Sequence, residues 1–95
     1  MKQHALKVAP EFWEDLENGK KTFEIRSSND RDFCVGDTLH LREWDATMST
    51  PAGEKWTKEI GYTGRELFKR VTYLLAGERW GLREGYVIMA LGSVE

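Results

Sequence analysis

A helix stop and a strictly alternating strand meet between Gly19 and Arg26, and this junction constrains the fold more than any other part of the chain. Asn18-Gly19 ends the preceding amphipathic segment, with Gly19 suited to a left-handed C-terminal cap. Phe23 and Ile25 then alternate with Thr22, Glu24 and Arg26. This alternation predicts one apolar face for a core and one polar face that lines a cleft. Asn29-Asp30-Arg31 reads as a turn, because Asn and Asp side chains satisfy nearby backbone groups. Val35-Gly36-Asp37 follows, so a dense group of ionisable side chains gathers around a short strand.

The rest of the chain supplies partners for that strand. His4 to Val8 is a short strand candidate. Pro10 suits a first helical turn, and Phe12, Trp13 and Leu16 fall at helical spacing, predicting a helix over 10–18 packed through Phe12, Trp13 or Leu16. Thr38 to Trp44 alternates Leu39 and Leu41 with His40 and Arg42. Arg65 to Leu75 reads as a long strand with Leu67, Val71, Tyr73 and Leu75 on one side. Tyr86 to Leu91 is apolar on both faces, as a central strand would be, with Val87, Met89 and Leu91 expected in the core. The polar connection 45–61 holds Pro51 and Gly53 and predicts a mobile loop over a site, with Trp56 in it. About five strands and one clear helix make an α+β domain: a small mixed β-sheet or pseudo-barrel with one or two packed helices.

Ninety-five residues make one domain, 1–95, and 40% hydrophobic residues suffice for one core without staples. Cys34 is the sole cysteine, which excludes an intrachain disulfide and suggests a reducing, cytoplasmic setting. Its neighbours Phe33 and Val35 suggest that it is buried. The longest apolar run is too short to span a bilayer, and residues 1–10 lack the apolar core of a signal peptide. Net charge is −2, from 16 acidic and 14 basic residues. A coat protein gripping long nucleic acids through phosphates carries a basic surplus, which is missing here. A local patch, or a pocket for one nucleotide or base, fits better. His4, His40 and Cys34 have no metal-ligand spacing, so neither a metal nor a cofactor is expected.

The ordered motifs His4-x-Leu6-Lys7, Gly19-Lys20-Lys21-Thr22-Phe23-Glu24-Ile25-Arg26, Asn29-Asp30-Arg31, Val35-Gly36-Asp37, Tyr62-Thr63-Gly64-Arg65 and Gly85-Tyr86-Val87-Ile88 resemble a small bacterial and phage family. That family lies in the ASCH group (activating-signal-cointegrator homology) of the PUA-like superfamily. The likeness covers roughly Gln3 to Leu91 and departs mainly in the 45–61 loop, which is longer here. It implies a PUA-like pseudo-barrel with a cleft lined by the Lys-x-x-Glu-x-Arg motif, and an RNA- or nucleobase-related role. One ASCH relative is an amidohydrolase that removes an acyl group from cytidine, using a lysine and a threonine of this motif. Lys21 matches the lysine, but Glu24 stands where the threonine would be.

Each candidate has a bland alternative. Lys21 either serves the cleft or complements the helix C-terminus, and a regular strand would place it on the face opposite Glu24. The two share a cleft only if Lys21 sits at the strand mouth or a bulge. Glu24 and Arg26 lie on one face, either as an ordinary ion pair or as a carboxylate that accepts from an exocyclic amine while a guanidinium holds it. Arg31 and Arg65 offer further cations, and Asn29 organises the turn. Tyr62 or Tyr86 could stack on a base or fill the core, whereas Trp44 and Trp80 are expected to pack. The expected ligand-binding set is Lys21, Glu24, Arg26, Asn29, Arg31, Tyr62 and Arg65, and in an enzyme Lys21 and Glu24 would be catalytic. The favoured partner is RNA or a modified nucleoside or nucleotide. A metal-independent hydrolase (amidohydrolase or ribonuclease) and a protein-interaction module are the alternatives, and no membrane is involved.

Overall fold

The computed structural model describes residues 1–28, 31–48, 60–78 and 80–94. The elements are β1 (Gln3–Val8), α1 (Pro10–Glu17), β2 (Phe23–Ser27), β3 (Thr38–Trp44), β4 (Tyr62–Ala76) and β5 (Tyr86–Ser93). The five strands form one mixed sheet in the order β1-β3-β4-β5-β2. β1 runs parallel to β3, and every other neighbouring pair is antiparallel. The fold is therefore α+β, a curled half-barrel with one short helix among the described residues.

α1 begins with Pro10 in its first turn and ends at Asn18, after which Gly19 takes φ +83°. A left-handed residue at that point costs a glycine little. Trp13 and Leu16 are fully buried and join Leu6, Val8, Leu39, Leu41, Val71, Val87 and Met89 on the concave side of the sheet. Leu91 packs against this core at half burial. Phe12 points away from it and is exposed.

The curl brings the two edge strands towards each other. Arg26 Nη2 of β2 donates to the Lys7 carbonyl of β1 at 2.7 Å, and Arg31 Nη1 donates to the Ala5 carbonyl at 3.3 Å. Two guanidinium groups thus satisfy edge carbonyls that no neighbouring strand reaches.

Four expectations are corrected. The apolar face of β2 is not in the core: Phe23 and Ile25 are 41% and 47% exposed, while Glu24 is only 4% exposed. Register with β5 is the reason. Glu24 pairs with Met89 and Arg26 with Val87, so they share the inner face with those core residues. Tyr73 does not share a side with Val71, because the register shifts between them and Leu74 turns inward instead. Trp80 is 80% exposed at φ +63° in the turn after β4, rather than packed. Cys34 is exposed, since its neighbour Phe33 takes the inward position. Ile25→Thr should therefore change unfolding free energy in urea by no more than about 0.5 kcal/mol, the range of surface substitutions. A loss of several times that would place Ile25 in the core.

Asn29, Asp30 and Trp56 lie outside the described residues, as does most of the 45–61 connection. Among the described residues no helix is long and apolar enough to cross a membrane.

Candidate functional site

The three central motif residues meet at one carboxylate. Lys21 Nζ donates to Glu24 Oε1 at 2.8 Å, and Arg26 Nε donates to Glu24 Oε2 at 3.1 Å. Parity would have kept Lys21 and Glu24 apart, but β2 begins at Phe23, so Lys21 sits before the strand and folds back. Its ammonium also donates to the Phe23 carbonyl at 3.1 Å and lies near the Phe12 and Phe23 rings, 5.3 and 5.1 Å from their centroids. A buried carboxylate needs such partners, because leaving it unpaired would cost several kcal/mol.

These groups open on a groove of about 630 Å³ between the end of β1, the start of α1 and β2. The lining is mostly apolar: Val8, Ala9, Phe12, Phe23, Ile25 and Tyr86 provide walls, and Lys7, Lys21, Glu24, Arg26 and Ser27 provide polar groups. That volume and that mixture suit a small organic ligand.

The remaining candidates divide. Arg31 is not part of the groove lining and donates to the Ala5 carbonyl of β1. Arg65 is elsewhere, forked onto Glu43: Nε reaches Oε1 and Nη2 reaches Oε2, both at 2.8 Å, and Thr63 Oγ1 donates to Oε1 at 2.7 Å. These hydrogen bonds, Arg65's first, hold the Glu43 carboxyl below its ordinary range against the opposing effect of burial. Tyr62 lies on the outer side of the sheet beneath Arg42, whose Cζ is 3.8 Å from the ring centroid. Tyr86 is the tyrosine that reaches the groove.

Three features escaped the sequence reading. Glu43 is fully buried, and the signal was present, since Leu39, Leu41 and Glu43 share one face by alternation. Lys7 and Phe12 line the groove, which no spacing reveals. His4 Nε2 meets Asp37 Oδ2 at 2.8 Å in the interior, with the His4 ring tilted against Phe33 at 4.7 Å between centroids. Burial alone would raise the Asp37 pKa. Hydrogen bonds from the Lys2 amide, His4 and the Cys34 amide overcome that and lower it to about 2. Asp37 is thus ionised at neutral pH, so Nε2 is the donor. This pair ties the start of β1 to the turn before β3 and has a structural role. No group of three or more His, Cys, Asp or Glu residues suited to a metal occurs among the described residues.

No curated protein matches the chain closely enough to be informative. A family model matches residues 3–91, from the first residue of β1 well into β5, and the chain therefore belongs to the family described as Domain of unknown function (DUF3850).

Proposed function

We propose that the chain is a PUA-like module of the ASCH type that binds RNA or a single nucleobase in the groove between β1 and β2. One observation carries this reading: a buried carboxylate held between two cations opens on a groove walled by Phe12, Phe23 and Tyr86. Aromatic walls suit the face of a base, at about 1–3 kcal/mol per stacked base. Lys21 and Arg26 present donors to carbonyl or phosphate oxygens. Each Glu24 oxygen already accepts one hydrogen bond and keeps a second lone pair for an exocyclic amine. The acidic balance of the chain agrees with a ligand that engages few phosphates.

Nucleosides, modified nucleosides and short single-stranded RNAs titrated against the protein test this. Glu24→Gln should weaken binding by about 1–3 kcal/mol with the fold intact, and Lys21→Met should weaken it too. Wild-type affinity should fall only shallowly with salt. Unchanged binding in both variants would remove the groove from consideration and bring the protein-partner reading forward.

A hydrolase in the same groove is the second reading, favoured by the direct contact of Lys21 with Glu24. Mass spectrometry of acylated cytidine and RNA after incubation decides it. Loss of an essential group would then lower turnover by orders of magnitude while substrate still binds. Glu24→Thr restores the residue of the amidohydrolase relative, and deacylation gained by that variant would support an otherwise competent cleft.

A further inference from the structure

Glu24 sits between two cations in a fixed order. Lys21 Nζ is bound to Oε1 and Arg26 Nε to Oε2, so a ligand in the groove meets donor, acceptor and donor in turn. Each cation is also tied to a backbone carbonyl. Lys21 Nζ donates to that of Phe23 at 3.1 Å, and Arg26 Nη2 to that of Lys7 at 2.7 Å. Donors remain on both sides. Among the described residues Lys21 uses two of its three N–H groups, and Arg26 two of its five. Glu24 lines the groove with only 4% exposure, so little of its carboxylate is left for a ligand.

What the flanks reject is as informative as what Glu24 accepts. A ligand N–H placed on the carboxylate brings its own neighbouring groups against Lys21 and Arg26. Two donors set face to face leave both unpaired, which penalises the wrong ligand. In guanine the ring N–H has a carbonyl on one side and an amine on the other. In cytosine the amine has a ring nitrogen on one side and a C–H on the other. In adenine the acceptors beside the amine are set back behind it, on separate edges of the ring. An imide edge, carbonyl–N–H–carbonyl, satisfies all three protein groups at once.

We propose that the groove selects a base with an imide edge, of the uracil type. Glu24 accepts the ring N–H, and Lys21 and Arg26 donate to the carbonyls on either side. This rests on the reading of the groove as a base site and names the class of base. The walls formed by Phe12, Phe23 and Tyr86 stack any base alike, so selection falls to the three polar groups.

Two measurements test the selection. Calorimetry compares uridine with cytidine, adenosine, guanosine and 3-methyluridine, which keeps both carbonyls and replaces the N–H by a methyl group. Uridine should bind at least about tenfold tighter than each of the others, the difference that one charge-assisted hydrogen bond gives. In Lys21→Met and Lys21→Gln, with folds checked by circular dichroism, the ratio of uridine to cytidine affinity should fall towards one. The Arg26 Nε–H signal is followed by NMR during titration with glutarimide, an imide without a base ring or sugar. Glutarimide should move that signal in the wild type, and N-methylglutarimide should not. Cytidine, adenosine, guanosine or 3-methyluridine bound as tightly as uridine would overturn the imide edge and leave the base site standing. A shift with glutarimide and none with its N-methyl form, without binding of any nucleoside, would support the imide edge and count against the base site. No nucleoside binding and no shift with glutarimide would overturn both.

Discussion

Replacing Arg65 by methionine is expected to remove a large part of the stability of this domain. Glu43 is 2% exposed and accepts both of its charge-assisted hydrogen bonds from Arg65, with Thr63 as its further donor. A buried carboxylate stripped of its cation costs about 3–5 kcal/mol, against a total of about 5–15 kcal/mol for an ordinary domain. Glu43→Gln should cost clearly less. Its amide oxygen still accepts from Thr63, and the Arg65 side chain, 50% exposed, can turn to water.

The order of the two losses depends on pH. In the wild type the Glu43 pKa is held below its ordinary 4.5, so its contribution is present above that value and lost as pH falls through the folded pKa. Without Arg65 the effect of burial is left to dominate, and it acts in the opposite direction. The deficit of Arg65→Met should then be full at neutral pH and shrink as both states protonate in acid. Urea unfolding of both variants at neutral and acidic pH would show this, and a silent Arg65→Met would mean that Arg65 does not compensate Glu43.

Asp37→Asn is expected to have the second large effect, about 2–4 kcal/mol from loss of charge-assisted bonds and the donor clash that replaces one of them. Three donors converge on the carboxylate: the Lys2 amide on Oδ1 at 3.0 Å, and His4 Nε2 and the Cys34 amide on Oδ2 at 2.8 and 3.0 Å. An amide must turn its own N–H groups towards at least one of them. The folded pKa of about 2 lies below the ordinary 3.8, so the stability carried by Asp37 is full above 3.8 and lost as pH falls towards 2. Thermal unfolding from pH 7 to pH 2.5 should show the wild type losing its advantage over Asp37→Asn within that acid window. A difference independent of pH would show that the charge on Asp37 is not what stabilises the turn.

Local pattern was enough for the elements themselves. The helix at Pro10, its stop at Asn18-Gly19 and the strand Thr38–Trp44 were legible because period, cap and alternation are properties of adjacent residues. Even the junction of Lys21 with Glu24 was legible as a condition, that Lys21 sit at the mouth of the strand. Bulges were not: the β4 shift that turns Tyr73 outward depends on pairing with β5, which no stretch of β4 encodes alone.

The face that each strand turns inward needed the tertiary structure. Alternation in Phe23–Ser27 defines two faces but does not say which is buried, and hydrophobicity alone chose Phe23 and Ile25. The choice was made by β5, 63 residues further along from Phe23 to Tyr86, whose Val87 and Met89 face the core and carry Arg26 and Glu24 in beside them. Burying that carboxylate became tolerable only because Lys21 folds back and Arg26 reaches across to β1. The same holds for His4 with Asp37 and Glu43 with Arg65, pairs that are remote in the chain and meet because β1 lies parallel to β3 and β3 antiparallel to β4. The sequence by itself determined which stretches form strands and helix, to within a few residues at their ends, since those preferences are local. Which charges are buried, and which cation compensates each, was decided by strand order and register, because burial is a property of the assembled sheet.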